Sequence, residues 1–186
     1  RVRSSAASDV YKRQGYALLL TGSRGGLLAL VVGLLVFLRS RFGTAMTAVL
    51  AAVVLPAILL LAGGRQTSIS TTEDTGQARI QLWSDGLLLF RESPLFGIGH
   101  DQYVQRAGQV AHNSYLHCFT ELGFLGGMLF LGAFYLAFRG LWRLGRVRAA
   151  IVDPELRHLQ AFITGILASY MTGMLSLTLP YVLPTY

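Results

Sequence analysis

Apolar runs close to 20 residues long dominate the chain, at 16–38, 42–62, 122–138 and 159–179. That is the length a helix needs to cross roughly 30 Å of bilayer hydrocarbon at about 1.5 Å per residue. No water inside hydrocarbon can satisfy a peptide group, so each run must close its own hydrogen bonds as a helix. The expected fold is an all-α integral membrane protein. It is a polytopic helix bundle with about four transmembrane helices and one large external loop, 63–121, containing short amphipathic helices. The sequence is 53% hydrophobic and 13% charged, against roughly a quarter charged in soluble domains.

Residues 1–14, RVRSSAASDVYKRQ, do not continue this pattern. They lack the apolar core of a signal peptide and resemble translated sequencing-adapter sequence, so they are set aside as foreign to the fold. Residues 15–186 are then read as the C-terminal part of a multi-spanning membrane domain. The formal charge of +7 suggests nucleic acid at first sight, but its placement argues otherwise. Arg39, Arg41, Arg139, Arg143, Arg146, Arg148 and Arg157 fall in two short loops, 39–41 and 139–158. Basic loops beside spans mark the cytoplasmic side. The loop 63–121 is therefore external, and it carries four arginines against six carboxylates. Membrane lipids are expected partners and nucleic acid is not. The single cysteine, Cys118, forms no intrachain disulfide and reads as a packed thiol.

Within the loop, Ala78–Phe90 has helical spacing, with Ile80, Trp83, Leu87 and Phe90 near one face. A surface-lying amphipathic helix follows from that pattern, with Trp83 as an interfacial anchor. Ser93-Pro94 ends it and Gly97 and Gly99 make a turn. His112 then opens a helix that runs into the third span. Gly123, Gly126, Gly127 and Gly132 suit close helix contact there, as do Gly165, Ser169 and Gly173 in the fourth span.

Arg24 interrupts the first span in Thr21-Gly22-Ser23-Arg24-Gly25-Gly26. It lies about 14 residues, or roughly 21 Å, from the cytoplasmic end, which brings it near the external face. An arginine within a span is costly and is a functional candidate by default; the alternative is a snorkelling anchor. Ser23 and the flanking glycines leave room for an anion, and a guanidinium fork fits phosphate at two points.

T-G-S-R-G-G, A-R-I-Q-L-W, S-P-L-F-G-I-G and A-H-N-S-Y-L-H-C-F-T-E-L-G-F-L-G, in this order, resemble the O-antigen ligase and O-antigen polymerase superfamily over about residues 16–180. Members have roughly a dozen spans, so the resemblance implies that further N-terminal spans are absent from this chain. It also implies a bacterial inner-membrane protein that moves a glycan from an undecaprenyl-diphosphate carrier to an acceptor hydroxyl at the periplasmic face. The acceptor would be lipid A–core in a ligase and another lipid-linked glycan in a polymerase. By motif, Arg24 and Arg79 would bind the diphosphate and His112 would be the essential histidine.

The chemistry can also be read from residue types. Displacing a sugar from a diphosphate needs charge stabilisation on the leaving group and a base for the hydroxyl. No D-x-D pair is present to hold Mg²⁺, so arginines suit the first task and metal and cofactors are not expected. A histidine titrating near neutrality suits the second, which selects His112. The expected reaction is an inverting displacement. For His112 the alternative reading is a helix cap or interfacial packing, and for Asn113 an N-cap or an acceptor contact. Tyr115 reads as packing or a sugar platform, and His100 as a substrate contact or an ordinary loop residue. Gly97 and Gly99 read as an anion nest or a tight turn, and Glu121 as a cap at the E-L-G turn. A transporter or channel for an anionic solute, with Arg24 in its path, is the competing class. It predicts polar residues at mid-depth in several spans, and spans two and three have almost none.

Overall fold

The computed structural model describes residues 12–13, 16–17, 23–53, 56, 75–146 and 153–177. The expected spans at 16–38, 42–62 and 159–179, the loops 63–121 and 139–158, and the segment 1–14 therefore lie partly outside the described residues. The regular elements among the described residues are all helices. They are α1 (Arg24–Phe42), α2 (Thr44–Val53), α3 (Thr75–Glu92), α4 (Gln102–Ala107), α5 (Ser114–Arg146) and α6 (Pro154–Gly173). Gly25–Phe42 and Ser114–Arg146 are long and apolar enough to cross a membrane, with mean hydropathy 1.8 and 1.6.

The helix ends follow local chemistry. The Ser23 hydroxyl accepts the Gly26 N–H at 3.1 Å and caps α1, as serine at this position commonly does. α1 does not stop at Leu38 as expected. It continues through Arg39-Ser40-Arg41 to Gly43, which leaves the helix at φ 83°. Glycine adopts that conformation without the steric cost a Cβ brings. The 39–41 stretch is thus the last turn of a helix, where its two arginines oppose the negative dipole end. α6 starts at Pro154, earlier than the apolar run suggests. The Asp153 carboxylate accepts the Glu155 N–H at 2.8 Å, and proline fits the first helical position.

α1 and α6 run antiparallel along a seam of small residues. A Cβ on Gly33 would lie 2.7 Å from Ser169 Cβ, and one on Gly165 would lie 2.9 Å from the Gly33 carbonyl oxygen. Gly173 lies opposite the buried Ala29, and Gly25 lies directly against Ser176. At the other end the rings of Phe37 and Phe162 stand 4.7 Å apart. The small-residue row of the fourth span is therefore a helix contact, matched by Gly25, Ala29 and Gly33 at four-residue steps on α1.

α5 runs antiparallel to α6: Gln160 donates to the Leu141 carbonyl at 2.9 Å, and Tyr115 donates to the Met171 carbonyl at 2.8 Å. α1 and α5 are therefore parallel. Their arginine-bearing C-terminal ends lie together at one end of the bundle. The residues 23–25, 111–115 and 174–177 lie at the other.

α5 is two arms. Gly123 breaks it at φ 68°, ψ −171°. The rings of Tyr115 and Phe130 stand 6.1 Å apart across the bend. Straight helix of that length would separate them by about 22 Å. The arm 124–146 still spans roughly 34 Å by itself. Gly123 thus serves the bend rather than a helix contact. Among the described residues, nothing lies within 4 Å of where a Cβ on Gly132 would stand.

On α3 the buried line is Leu82 and Gly86, while Ile80, Leu87 and Leu88 are exposed. Ile80, Trp83 and Leu87 of the expected membrane-surface face thus stay outside the protein core, while Leu82 and Gly86 pack inward. Gly86 admits Tyr103 and Leu116 to a distance that no bulkier residue would allow.

Gly33→Leu should force α1 from α6 and cost about 1–3 kcal/mol or more, lowering the thermal midpoint of the detergent-solubilised protein. Gly132→Leu should leave that midpoint unchanged.

Candidate functional site

A broken helix exposes peptide groups that hydrogen bonds must satisfy elsewhere. At the α5 bend the segment 94–99 supplies them. Ile98 and Gly99 donate to the carbonyls of Thr120 and Glu121, each at 3.0 Å. Phe124 and Leu125 donate to those of Pro94 at 2.8 Å and Leu95 at 3.2 Å. Gly97, at φ 75°, and Gly123 meet face to face, and a Cβ on either would fall on the other's backbone. The P-L-F-G-I-G and E-L-G sequences are thus two halves of one backbone clip. The amides of 97, 98 and 99 point at the carbonyls of Ser93, Thr120 and Glu121, so the turn alternative describes Gly97 and Gly99 better than an open nest.

His112 lies just beyond the start of α5, not within it. Asn113 is the cap: its side-chain oxygen accepts the N–H of Tyr115 at 3.0 Å and the N–H of Leu116 at 3.2 Å, the usual role of asparagine here. His112 itself is half-buried and sits at φ 50°. That conformation is unusual for a residue with a Cβ. Its neighbours hold it there. The Trp83 indole N–H donates to the carbonyl of the fully buried Ala111 at 2.8 Å. The Ser114 N–H donates to Met174 at 2.8 Å and its hydroxyl to Leu177 at 2.6 Å. Trp83, expected as an interfacial anchor, also brackets the histidine segment through its indole N–H. Tyr115 is committed to packing, with its hydroxyl on Met171 and its ring on Phe130.

The turn 174–177 joins two parts of the candidate site. One side holds Ser114, two residues from His112, and the other is packed by Gly25, next to Arg24. Ser23 and Arg24 open α1 at this same end; the course of the Arg24 side chain lies outside the described residues. Arg79 is exposed on α3 and makes no hydrogen bond or ion pair with another described residue. It stands four residues before Trp83, so the two share a helix face at about 5–6 Å between Cβ atoms. Arg106, by contrast, is paired with Glu92. His100 is exposed beside the clip, at the far side of α4 from His112 in sequence.

A buried polar core lies beneath the histidine segment, and the sequence pattern misses it. Tyr103, Thr120 and Glu121 are fully buried. Tyr103 donates its hydroxyl to the Leu82 carbonyl, and Thr120 reaches the Gly86 carbonyl at 3.1 Å. Burial, with Asp85 nearby, pushes the Tyr103 phenol up to about 12, so it remains a donor through neutral pH. Glu121 does cap a helix, but the helix is α4: its Oε1 accepts the Tyr103 N–H at 3.1 Å. The E-L-G motif points to this carboxylate, though nothing local in it identifies the partner. Cys118 is buried, as a packed thiol would be.

Residues 14–131 match the family model described as O-antigen ligase. No curated protein and no solved structure matches the chain.

Gly97→Ala should lower the thermal midpoint more than Gly108→Ala. Both glycines have positive φ, which costs a Cβ-bearing residue about 1–2 kcal/mol. Only at Gly97 does the added carbon also meet fixed backbone; at Gly108 nothing lies within 4 Å.

Proposed function

Since the chain belongs to the O-antigen ligase family, whose members are bacterial inner-membrane proteins of ligase or polymerase type, we propose that it is a metal-independent, inverting glycosyltransferase. The donor is a glycan on undecaprenyl diphosphate and the acceptor is a hydroxyl of lipid A–core, reached at the periplasmic face. Arg24 and Arg79 bind the diphosphate, and His112 accepts the proton of the attacking hydroxyl. The oxygen of that hydroxyl forms the new bond to the sugar's anomeric carbon. The bond from that carbon to the diphosphate breaks, and the two guanidiniums offset the charge left on the departing group.

One observation carries the reading. His112 is held at positive φ by Trp83, Asn113 and the 174–177 turn, and α1 delivers Arg24 to the other side of that turn. A residue held in an uncommon backbone conformation by several independent contacts is a candidate for function. The uncommitted, exposed Arg79 on the same face as Trp83 adds the second cation. The clustering of arginine-bearing helix ends at the opposite end of the bundle supports the periplasmic assignment.

His112→Ala should lower transfer by about 10²–10⁴-fold with membrane abundance unchanged. The assay is transfer from a purified undecaprenyl-diphosphate oligosaccharide to lipid A–core. Normal transfer by that variant would remove the base assignment. Arg24→Lys and Arg79→Lys should each lower transfer by roughly tenfold or more, because a point charge replaces a fork. Wild-type transfer in both would remove the diphosphate clamp. Cells lacking a ligase retain long chains on the lipid carrier, whereas cells lacking a polymerase place single repeats on core, so the carbohydrate profile separates the two reactions.

A further inference from the structure

The geometry points to Glu121 as the residue that positions the His112 segment, an inference that rests on the proton-accepting role proposed for His112. Glu121 is fully buried, and one carboxylate oxygen, Oε1, accepts the Tyr103 N–H at 3.1 Å and lies 3.4 Å from His117 Nε2. The other oxygen, Oε2, has no hydrogen-bond partner among the described residues. Burying a carboxylate with half its acceptor capacity unused is costly, and an apolar side chain would fill the space without that cost. What the carboxylate does here is specific. Asp101 occupies the N-cap position of α4 at φ 64° and makes no side-chain cap bond. Glu121 supplies that bond from the end of the first α5 arm, two residues before the break.

α4 is the lever between this bond and His112. Tyr103, its second residue, is locked at three points: the amide on Glu121, the hydroxyl on the Leu82 carbonyl, and the ring 4.9 Å from that of His117. α4 ends at Gly108, whose N–H returns to the Val104 carbonyl at 2.9 Å. Only 109–111 separate that cap from His112, and Trp83 pins the last of them. The histidine segment is therefore strung between two anchors, Glu121 through α4 on one side and Trp83 with Asn113 on the other. A short chain held at both ends has little freedom in where it presents its side chain.

The bond requires an acceptor at the full length of a glutamate side chain, so reach and charge can be separated. Glu121→Gln keeps the reach and loses the charge; Glu121→Asp keeps the charge and loses a methylene. In the transfer assay with purified undecaprenyl-diphosphate oligosaccharide and lipid A–core, at matched membrane abundance, Glu121→Gln should retain kcat within about threefold. Glu121→Asp should lose roughly 10²-fold in kcat, as a misplaced catalytic group does, with KM for the donor nearly unchanged. In a His112→Ala background, Glu121→Asp should add little further loss, because both act through one group. The inference is overturned if Glu121→Asp keeps wild-type kcat. It is equally overturned if Glu121→Gln is as slow as Glu121→Asp, or if the loss appears in donor KM alone. A wild-type rate for His112→Ala identifies a different failure, that of the proton-accepting role itself.

Discussion

Four peptide hydrogen bonds between 94–99 and 120–125 hold the rest of the structure in register. A helix broken at Gly123 frees carbonyls before the break and N–H groups after it, and near a membrane such groups cannot rely on water. The 94–99 strip answers two of each. That requires two backbones to touch, which is why glycine faces glycine at 97 and 123. With the bend fixed, the first arm of α5 has one place to go, and its cap, Asn113, places His112 at the arm's tip. The α3 helix packs on the same arm and on α4, since Gly86 sits against Leu116 and Tyr103.

A second constraint acts from the membrane side. α1 and α6 approach closely because Gly25, Ala29 and Gly33 meet Ser176, Gly173, Ser169 and Gly165. Dispersion contact and close backbone approach, rather than hydrophobic exclusion, favour such a seam where the surroundings are themselves apolar. The seam sets how far α1 slides along α6, and that fixes the level of Arg24 against the 174–177 turn. Two independent packing problems, the clip and the seam, therefore converge on one end of the bundle.

Much of this is legible in the chain. Period and length specify helices, arginine placement specifies the grouping of their ends, and the row 165–169–173 specifies a helix contact that the structure contains. Asn113 as a cap and Cys118 as packing also follow from residue type. What local pattern cannot supply is the partner of each polar group. Residue type suggests an interface for Trp83, but nothing local says that its N–H reaches Ala111. The inward-packing side of α3 is hidden from the pattern, because bulk is a poor guide to burial where a glycine is the buried residue.

By itself the sequence determined the all-helical class, the small-residue row that makes a helix contact and the residue types available for phosphate and proton chemistry. These depend on hydrophobic length, charge asymmetry and small-residue spacing, all of which act within one segment or along one seam. Only the tertiary structure decided the bend at Gly123, the positive φ of His112 and the reach of Glu121 to α4. Each depends on hydrogen bonds between residues far apart in sequence, where a peptide group left unpaired by one segment is satisfied by another.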